Sequence, residues 1–357
     1  MLNYLQKSWW HLFLIGIAVY IALQYRSSSN RSATIPATEK SESRKTKDIK
    51  SAILKQKERV VGKFCDSSSP ESCFDIVDRP FLEDDSLVVK RHLKLKNTPQ
   101  VSITTVELET PQELTWKNFN TRQWPVNKLV LSSLYTRMMI AMGFITEALE
   151  FDPHQWQNVL IIGLGGGSMN NFLSAVDFIM VNLTTVELDH SMVELATDWF
   201  GLAESDTNQV VIEDGVVFVR EAAKRGEKYK SILIDACYND NQPIVCPVPE
   251  LTKSDVIKNM AEILEDGGVL SVNVLCMRDS IGTEDVLLKT FEEHFPTCFL
   301  QRYSAIQRLL VCANKEKWSF MEQKDRFMEN VRKVDDRFDF KISAVFSNYS
   351  SESLGFI

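Results

Sequence analysis

The stretch VLIIGLGGGSMNNFL (Val159–Leu173) decides how the rest of the chain is read. Four apolar residues run straight into Gly163, Gly165, Gly166 and Gly167, and a helical pattern begins at Ser168. The chain holds only 14 glycines in 357 residues, so this concentration needs a cause. Lacking Cβ atoms, glycines either make a bare structural turn or let the backbone approach a ligand closely. The neighbouring sequence separates the two.

Downstream, buried-looking runs alternate with amphipathic ones. TTVELD, NQVVIEDG, YKSILIDA and VLSVNVLC read as strands. SMVELATDWFG, VVFVREAAKRG, KSDVIKNMAEILEDGG and TEDVLLKTFEEHF read as helices between or after them. CFLQRY and QRLLVCAN close the series as an antiparallel pair. This alternation specifies an α/β fold: a Rossmann-like, seven-stranded, mostly parallel sheet with helices on both faces. Upstream, CFDIVDRP, SLVVKRHLKLK and VSITTVELE alternate with period two and predict a small antiparallel β-region. LVLSSLYTRMMIAMGFI is apolar at helical spacing and predicts a helix packed on the larger domain. Residues 316–334 predict a charged surface helix followed by a weak tail.

In such sheets ligands bind beyond the carboxyl ends of the strands. The first strand ends in the glycine loop. The second ends in Glu187, whose carboxylate suits the two hydroxyls of a ribose. The third ends in Asp214-Gly215, where the acid suits an adenine amino group, and the fourth ends in Asp235. Each acid alone reads as an exposed strand-end acid, a turn former or a cap. Taken in order, the loop and the three acids point to a nucleoside cofactor. A dinucleotide fold would want a third glycine where Ser168 stands.

Composition bounds the rest. Apolar residues make up 44% and charged residues 25%, as in ordinary globular proteins. The net charge is −8, but residues 26–59 hold ten Lys/Arg against four Asp/Glu. The body, residues 60–357, holds 29 against 44, so it is acidic and argues against nucleic-acid binding. Cys65, Cys73, Cys237, Cys246, Cys276, Cys298 and Cys312 are odd in number and contain no CxxC, so no metal site is expected. Cys276 and Cys312 read as core fillers. The lack of a disulfide framework argues against pairing, with Cys65/Cys73 and Cys237/Cys246 as the pairs an oxidising compartment would allow.

SWWHLFLIGIAVYIALQY (Ser8–Tyr25) carries no Asp, Glu, Lys or Arg and approaches the ~20 residues of a spanning helix. IALQYRSSS is a poor cleavage site, which favours an uncleaved anchor over a signal peptide. Basic residues after the span favour a cytosolic body. The triplets at Asn30, Asn182 and Asn348 fit glycan acceptors and point to the lumen instead. The expected organisation is an anchor (1–25), a polar basic stem (26–60), the β-region (61–130), the α/β domain (131–315) and a C-terminal helix and tail (316–357).

Seven strands with an antiparallel last pair resemble the class I S-adenosylmethionine methyltransferases. IIGLGGGSMNNFL, TTVELDHSMVELATDWFGL and VVIEDGVVFV resemble the spermidine-synthase-like branch of that fold. Within it, GLGGGS, VELDHSMVELATDWFG and LEDGGVLSVNVLCMRD are similar to the C-terminal domain of the methyltransferase-like 13 family, which methylates elongation factor 1-alpha at a lysine and at its N-terminal amine. The resemblance covers roughly residues 85–315 and is to the family's C-terminal methyltransferase half alone. It implies S-adenosylmethionine held by Gly163, Gly165, Gly166, Gly167, Glu187, Asp214, Gly215 and Asp235. Asp235, Tyr238 and Asp240, at and just beyond the end of the fourth strand, are the candidates to orient the acceptor or relay its proton. The resemblance implies a protein substrate; the apolar N-terminal segment adds a membrane as partner, and a second copy in a homodimer is a further expectation.

Two rival readings stay open. Spermidine synthases carry an acid in the glycine loop where this chain has Ser168, and a second acid after the fourth strand where this chain has Tyr238. Both departures weaken aminopropyl transfer and leave methyl transfer intact. A catalytically inactive, membrane-tethered interaction protein is the other reading.

Overall fold

The computed structural model describes residues 44–65, 73–96, 102–238, 244–276, 282–304, 306–315 and 323–347. The chain divides at Lys47/Asp48, and the unit beginning at Asp48 carries both sheets. Of the other unit only Arg44–Lys47 are described. The expected membrane anchor and most of the stem therefore lie outside the described residues. Among the described residues, no helix is long and apolar enough to cross a membrane.

Helix α1 (Arg44–Leu54) precedes a five-stranded antiparallel sheet in simple sequential order: β1 (Arg59–Cys65), β2 (Cys73–Glu83), β3 (Ser86–Leu95), β4 (Ser102–Leu108) and β5 (Val126–Leu131). β3 shows why its sequence makes a strand. Leu87, Val89, Arg91 and Leu93 alternate inward and are buried, while the residues between them are half-buried. Arg91 is the one charge on that inner face. It forms a two-pronged ion pair with Asp78 at 2.8 and 3.0 Å and donates to the carbonyl oxygens of Thr121 and Trp199. A buried guanidinium is tolerated because its donors are matched in this way. Trp199 belongs to the larger domain, so this pair also docks the small sheet onto it.

The parallel part of the larger sheet is β6 (Trp156–Ile162), β7 (Met180–Glu187), β8 (Asn208–Ile212), β9 (Tyr229–Ile234) and β11 (Leu264–Cys276). β12 (Thr297–Arg302) and β13 (Gln307–Ala313) form the antiparallel pair expected at the end of the chain, β13 running against β11. The strand order is β12-β13-β11-β9-β6-β7-β8. The seven-strand expectation misses one member: β10 (Ile244–Cys246) pairs antiparallel with the end of β11. Three residues following a proline carry too little period-two pattern to be read as a strand.

The connecting helices are α2 (Leu134–Ile145), α3 (Ser168–Ala175), α4 (His190–Phe200), α5 (Gly215–Arg225), α6 (Ser254–Ile263) and α7 (Thr283–Glu292). Their ends are written in the sequence. Asp189 caps α4 by accepting from the Ser191 N–H at 2.8 Å, and Gly201 ends it in the left-handed region at φ +75°. α6 buries Val256, Ile257, Met260 and Ile263, one face at helical spacing. The two sheet faces carry two separate hydrophobic clusters, one built on Val159, Ile161 and α2, the other on Leu160, Ile162 and α6.

Two element expectations need correction. LVLSSLYTRMMIAMGFI is not one helix: its first residues finish β5, and the helix begins only after Ser133. Apolar residues at spacing compatible with both periods hid the boundary. The C-terminal helix α8 (Lys324–Phe338) is not a surface helix. Phe327, Val331, Val334 and Phe338 form a buried stripe, and Phe340, Ile342 and Phe346 beyond it are buried too. The Phe338 ring lies 4.9–5.4 Å from the rings of Phe144, Phe151, Phe172, Phe178 and Phe340. Truncating such a core phenylalanine to alanine costs about 3–5 kcal/mol. The dense charge on the other face of α8 masked the stripe.

The cysteines also depart from expectation. Cys65–Cys73, Cys237–Cys246 and Cys298–Cys312 are disulfide-bonded, and Cys276 alone is free and buried. Cys312 is thus not a plain core filler. Strand register, invisible in the sequence, puts Cys65 opposite Cys73 and Cys298 opposite Cys312.

Candidate functional site

A cavity of about 680 Å³ opens at the carboxyl ends of β6, β7, β8 and β9. The glycine loop forms its floor. Gly163, Gly165 and Gly167 have φ of +95°, +53° and +73°, where side chains are strained. A Cβ at Gly163 would sit 2.5 Å from the backbone oxygen of Asp235, so the crossing of β6 past β9 admits only glycine. Gly166 is held differently. Its N–H donates to Thr104 Oγ1 at 2.8 Å, and a Cβ there would meet Thr104 Cγ2 at 2.7 Å. The small sheet therefore clamps the loop through β4. Below the loop, Asn170 donates to Thr185 Oγ1 at 2.9 Å and to Asn208 Oδ1 at 2.7 Å, and Asn208 donates back at 3.0 Å. This fully buried amide pair ties α3 to β7 and β8.

The strand-end acids fall where the sequence places them. Glu187 ends β7, and its two oxygens accept from the N–H groups of Leu164 at 2.8 Å and Asp189 at 3.0 Å. Burial raises its carboxyl above the ordinary range, and those backbone donors pull it back in part. Asp214 lines the cavity and also caps α5, its Oδ1 accepting from Val216 N–H at 2.7 Å and Val217 N–H at 3.2 Å. The cap and the ligand role are thus compatible. Gly215 begins that helix, and a Cβ on it would sit 2.6 Å from Ile162 Cγ2. Ser168 starts α3 beside the cavity, so the loop carries a hydroxyl and no acid there.

Asp235 stands at the other end. Asn273, from the carboxyl-terminal part of β11, donates to its Oδ1 at 2.8 Å, and the Tyr135 hydroxyl from the start of α2 also bonds it. Burial nevertheless pushes the Asp235 carboxyl up to about 6. Desolvation and the neighbouring Asp235 charge hold the hydroxyls of Tyr135 and Tyr303 above their ordinary range. Asn273 Oδ1 and Tyr303 Oη are buried and have no hydrogen-bond partner among the described residues. Asp235 and Asn273 thus both line this end of the cavity, where a carboxylate acceptor suits a group with N–H donors.

Tyr238 also lines the cavity, its hydroxyl 3.4 Å from Glu250 Oε2. Asp240 lies outside the described residues. His190, read as the exposed start of a helix, is the first residue of α4 and faces Glu194 at 3.5 Å. Thr104, Tyr135, Asn170 and Asn273 were not anticipated. All four act through register or a distant element, and only the polar Asn273 inside the apolar run VLSVNVLC gave a local hint. Among the described residues no cluster of His, Cys, Asp and Glu is arranged to hold a metal ion.

The cavity fits a nucleoside cofactor. Glycines keep the floor clear of Cβ atoms, α3 opens its N-terminus onto it, and Glu187 and Asp214 bring carboxylate acceptors to adjacent strand ends. The chain is 33% identical over 159 residues to the human eEF1A lysine and N-terminal methyltransferase, covering 43% of this chain and 22% of that protein. It is 30% identical over 169 residues to the Drosophila melanogaster homolog, covering 47% and 25%. A polyamine aminopropyltransferase from Vibrio vulnificus is 30% identical over 139 residues, covering 39% and 42%. The chain thus spans about a quarter of the length of its methyltransferase relatives. Among solved structures, human methyltransferase-like protein 13 in complex with SAH superposes with a TM-score of 0.50 at 26% identity, covering 57% of this chain and 92% of that one. Spermidine synthase in complex with the transition-state analogue AdoDATO superposes with a TM-score of 0.52 at 17% identity, covering 84% and 86%, which shows the fold alone. The model of the spermine/spermidine synthase domain matches residues 132–333, more than half of the sequence, and the chain belongs to that family.

Proposed function

We propose that this chain is an S-adenosylmethionine-dependent methyltransferase acting on a protein amine, N-terminal or lysine. The observation that carries the proposal is one cavity with two chemically different ends. A glycine-and-carboxylate end suits a nucleoside, and an Asp235–Asn273–Tyr135 end suits an amine. Gly163, Gly165, Gly166, Gly167, Glu187, Asp214 and Gly215 hold the cofactor in this reading, with Asp235 at the junction. The bound sulfonium supplies an already activated methyl group, so the protein's work is alignment and a neutral nucleophile. At neutral pH Asp235 is mostly ionised. It holds an incoming ammonium together with Asn273 Oδ1 and takes up the proton that the amine must lose. An α-amine (pKa about 7.7–8) gives up that proton far more readily than a lysine (about 10.4), so an N-terminal acceptor needs little base strength. Tyr238 and Asp240 are assigned to orienting the acceptor. The similarity to eEF1A methyltransferases supports an acceptor of that kind.

Aminopropyl transfer to a small amine is favoured by the family match and by the Vibrio relative. Ser168 speaks against it, because a free ammonium on the cofactor would want a carboxylate in the loop. Ser8–Tyr25 is proposed as a single-pass membrane anchor, to be checked by resistance to alkaline extraction. Thermal-shift titration with S-adenosylmethionine and with its decarboxylated form tests the enzyme readings. Stabilisation by the first compound alone is expected. Stabilisation by neither would leave the inactive, tethered interaction protein.

A further inference from the structure

The cysteine pattern of the body carries information about where it works. Three disulfides account for six of the seven cysteines, and the seventh, Cys276, is fully buried. No thiol is left on the surface. The three bonds also occupy three unrelated places. Cys65–Cys73 joins the last residue of β1 to the first of β2, and β1 is an edge of the small sheet. Cys298–Cys312 joins directly opposed residues of β12 and β13, and β12 is an edge of the large sheet. Each edge strand has hydrogen-bonded neighbours on one side only, so a covalent tie there adds most where the sheet is weakest. Cys237–Cys246 joins the segment after β9 to β10, and both cysteines line the cavity two residues or more beyond Asp235. A redox switch would need one labile bond at the site. Three bonds, two of them made by cysteines that do not line the cavity, are structural staples.

Such bonds form and persist in oxidising compartments, whereas cytosolic thiol pools keep cysteines reduced. Resting on the methyltransferase reading above, we infer that the folded body works on the lumenal side of a secretory membrane, and that its acceptor is an amine on a protein of that compartment. The basic stem points the other way under the positive-inside rule, which is a bias in insertion; the cysteine pairing concerns the folded product itself. Asn182, one of the three glycan-acceptor positions, is exposed near the amino end of β7, whereas the cavity lies at the carboxyl ends.

The test uses the full-length chain expressed in eukaryotic cells with a C-terminal tag. Cells are lysed into denaturant with a maleimide-polyethylene glycol, with and without prior reduction. One modified thiol per chain before reduction and seven after it are expected; seven before reduction would overturn the inference. In intact microsomes, added protease should leave the tagged body whole until detergent is present, and its digestion without detergent would equally overturn it. The purified, oxidised protein is then given methyl-labelled S-adenosylmethionine together with lumenal or cytosolic proteins. Label on lumenal proteins is expected, and label confined to cytosolic proteins would overturn the acceptor assignment. Failure to bind S-adenosylmethionine at all would instead overturn the methyltransferase reading, with the thiol count still deciding the compartment.

Discussion

The two ends of the cavity are built by opposite means. The end proposed for the cofactor is assembled from consecutive strand ends: Gly163–Gly167, Glu187 and Asp214 arrive in chain order from three adjacent parallel strands. The acceptor end is collected from afar. Tyr135 comes from a helix start before the parallel sheet, Asn273 from β11, and the disulfide from a strand too short to announce itself. The first end depends on backbone geometry common to the fold. The second depends on side chains that meet only after every element has docked, and it is there that the proposed function puts the acceptor.

This contrast is open to dissection by substitution. The largest effect is expected from Asp235→Asn. Turnover should fall by about 10²–10⁴-fold, the range for losing a positioned proton acceptor, with cofactor affinity changed by no more than about threefold. The wild-type profile of kcat/KM should rise as pH passes through about 6, because the carboxyl raised by burial sheds its proton there and only the anion accepts another. The Asp235→Asn enzyme should lack that limb. If cofactor affinity collapses with turnover, the two ends are not separable as described.

Glu187→Ala is the converse. Losing a charged acceptor for two hydroxyls should weaken S-adenosylmethionine binding by about 10–100-fold, with turnover at saturating cofactor nearly retained. A variant that binds cofactor as well as the wild type would remove the ribose assignment. Tyr135→Phe is expected to act more gently, lowering turnover about tenfold. It should also move the acidic limb to higher pH, since the tyrosine hydroxyl now stabilises the Asp235 anion. The smallest effect belongs to the disulfide at the cavity mouth. Cys237→Ser should raise KM for the acceptor by a few-fold and leave the cofactor dissociation constant unchanged, as measured by calorimetry.

The same contrast explains what could be read from the sequence. The strand-helix alternation and the series of glycine loop and acids at four strand ends are local, because parallel strands must present their carboxyl ends side by side. Gly166 was legible as a loop glycine, but not its clamp, since Thr104 reaches it from another sheet. Tyr135 was hidden inside an apolar run that changes from strand to helix within a few residues. The burial of α8 is masked in the sequence because its charged face dominates its composition while Phe327, Val331, Val334 and Phe338 carry its packing. The disulfides depend on register, which a single sequence does not display.

Methyl transfer to a protein amine is tested most directly by one measurement. Purified full-length protein is incubated with S-adenosylmethionine and a cell extract, and in parallel with decarboxylated S-adenosylmethionine and putrescine, and the products are identified by mass spectrometry. A methyl group on the amine of a discrete protein, lost in Asp235→Asn and with no aminopropyl product in the parallel reaction, is the predicted result. Spermidine formed in the parallel reaction, with no methylated protein in the first, would contradict the account and assign the cavity to polyamine chemistry.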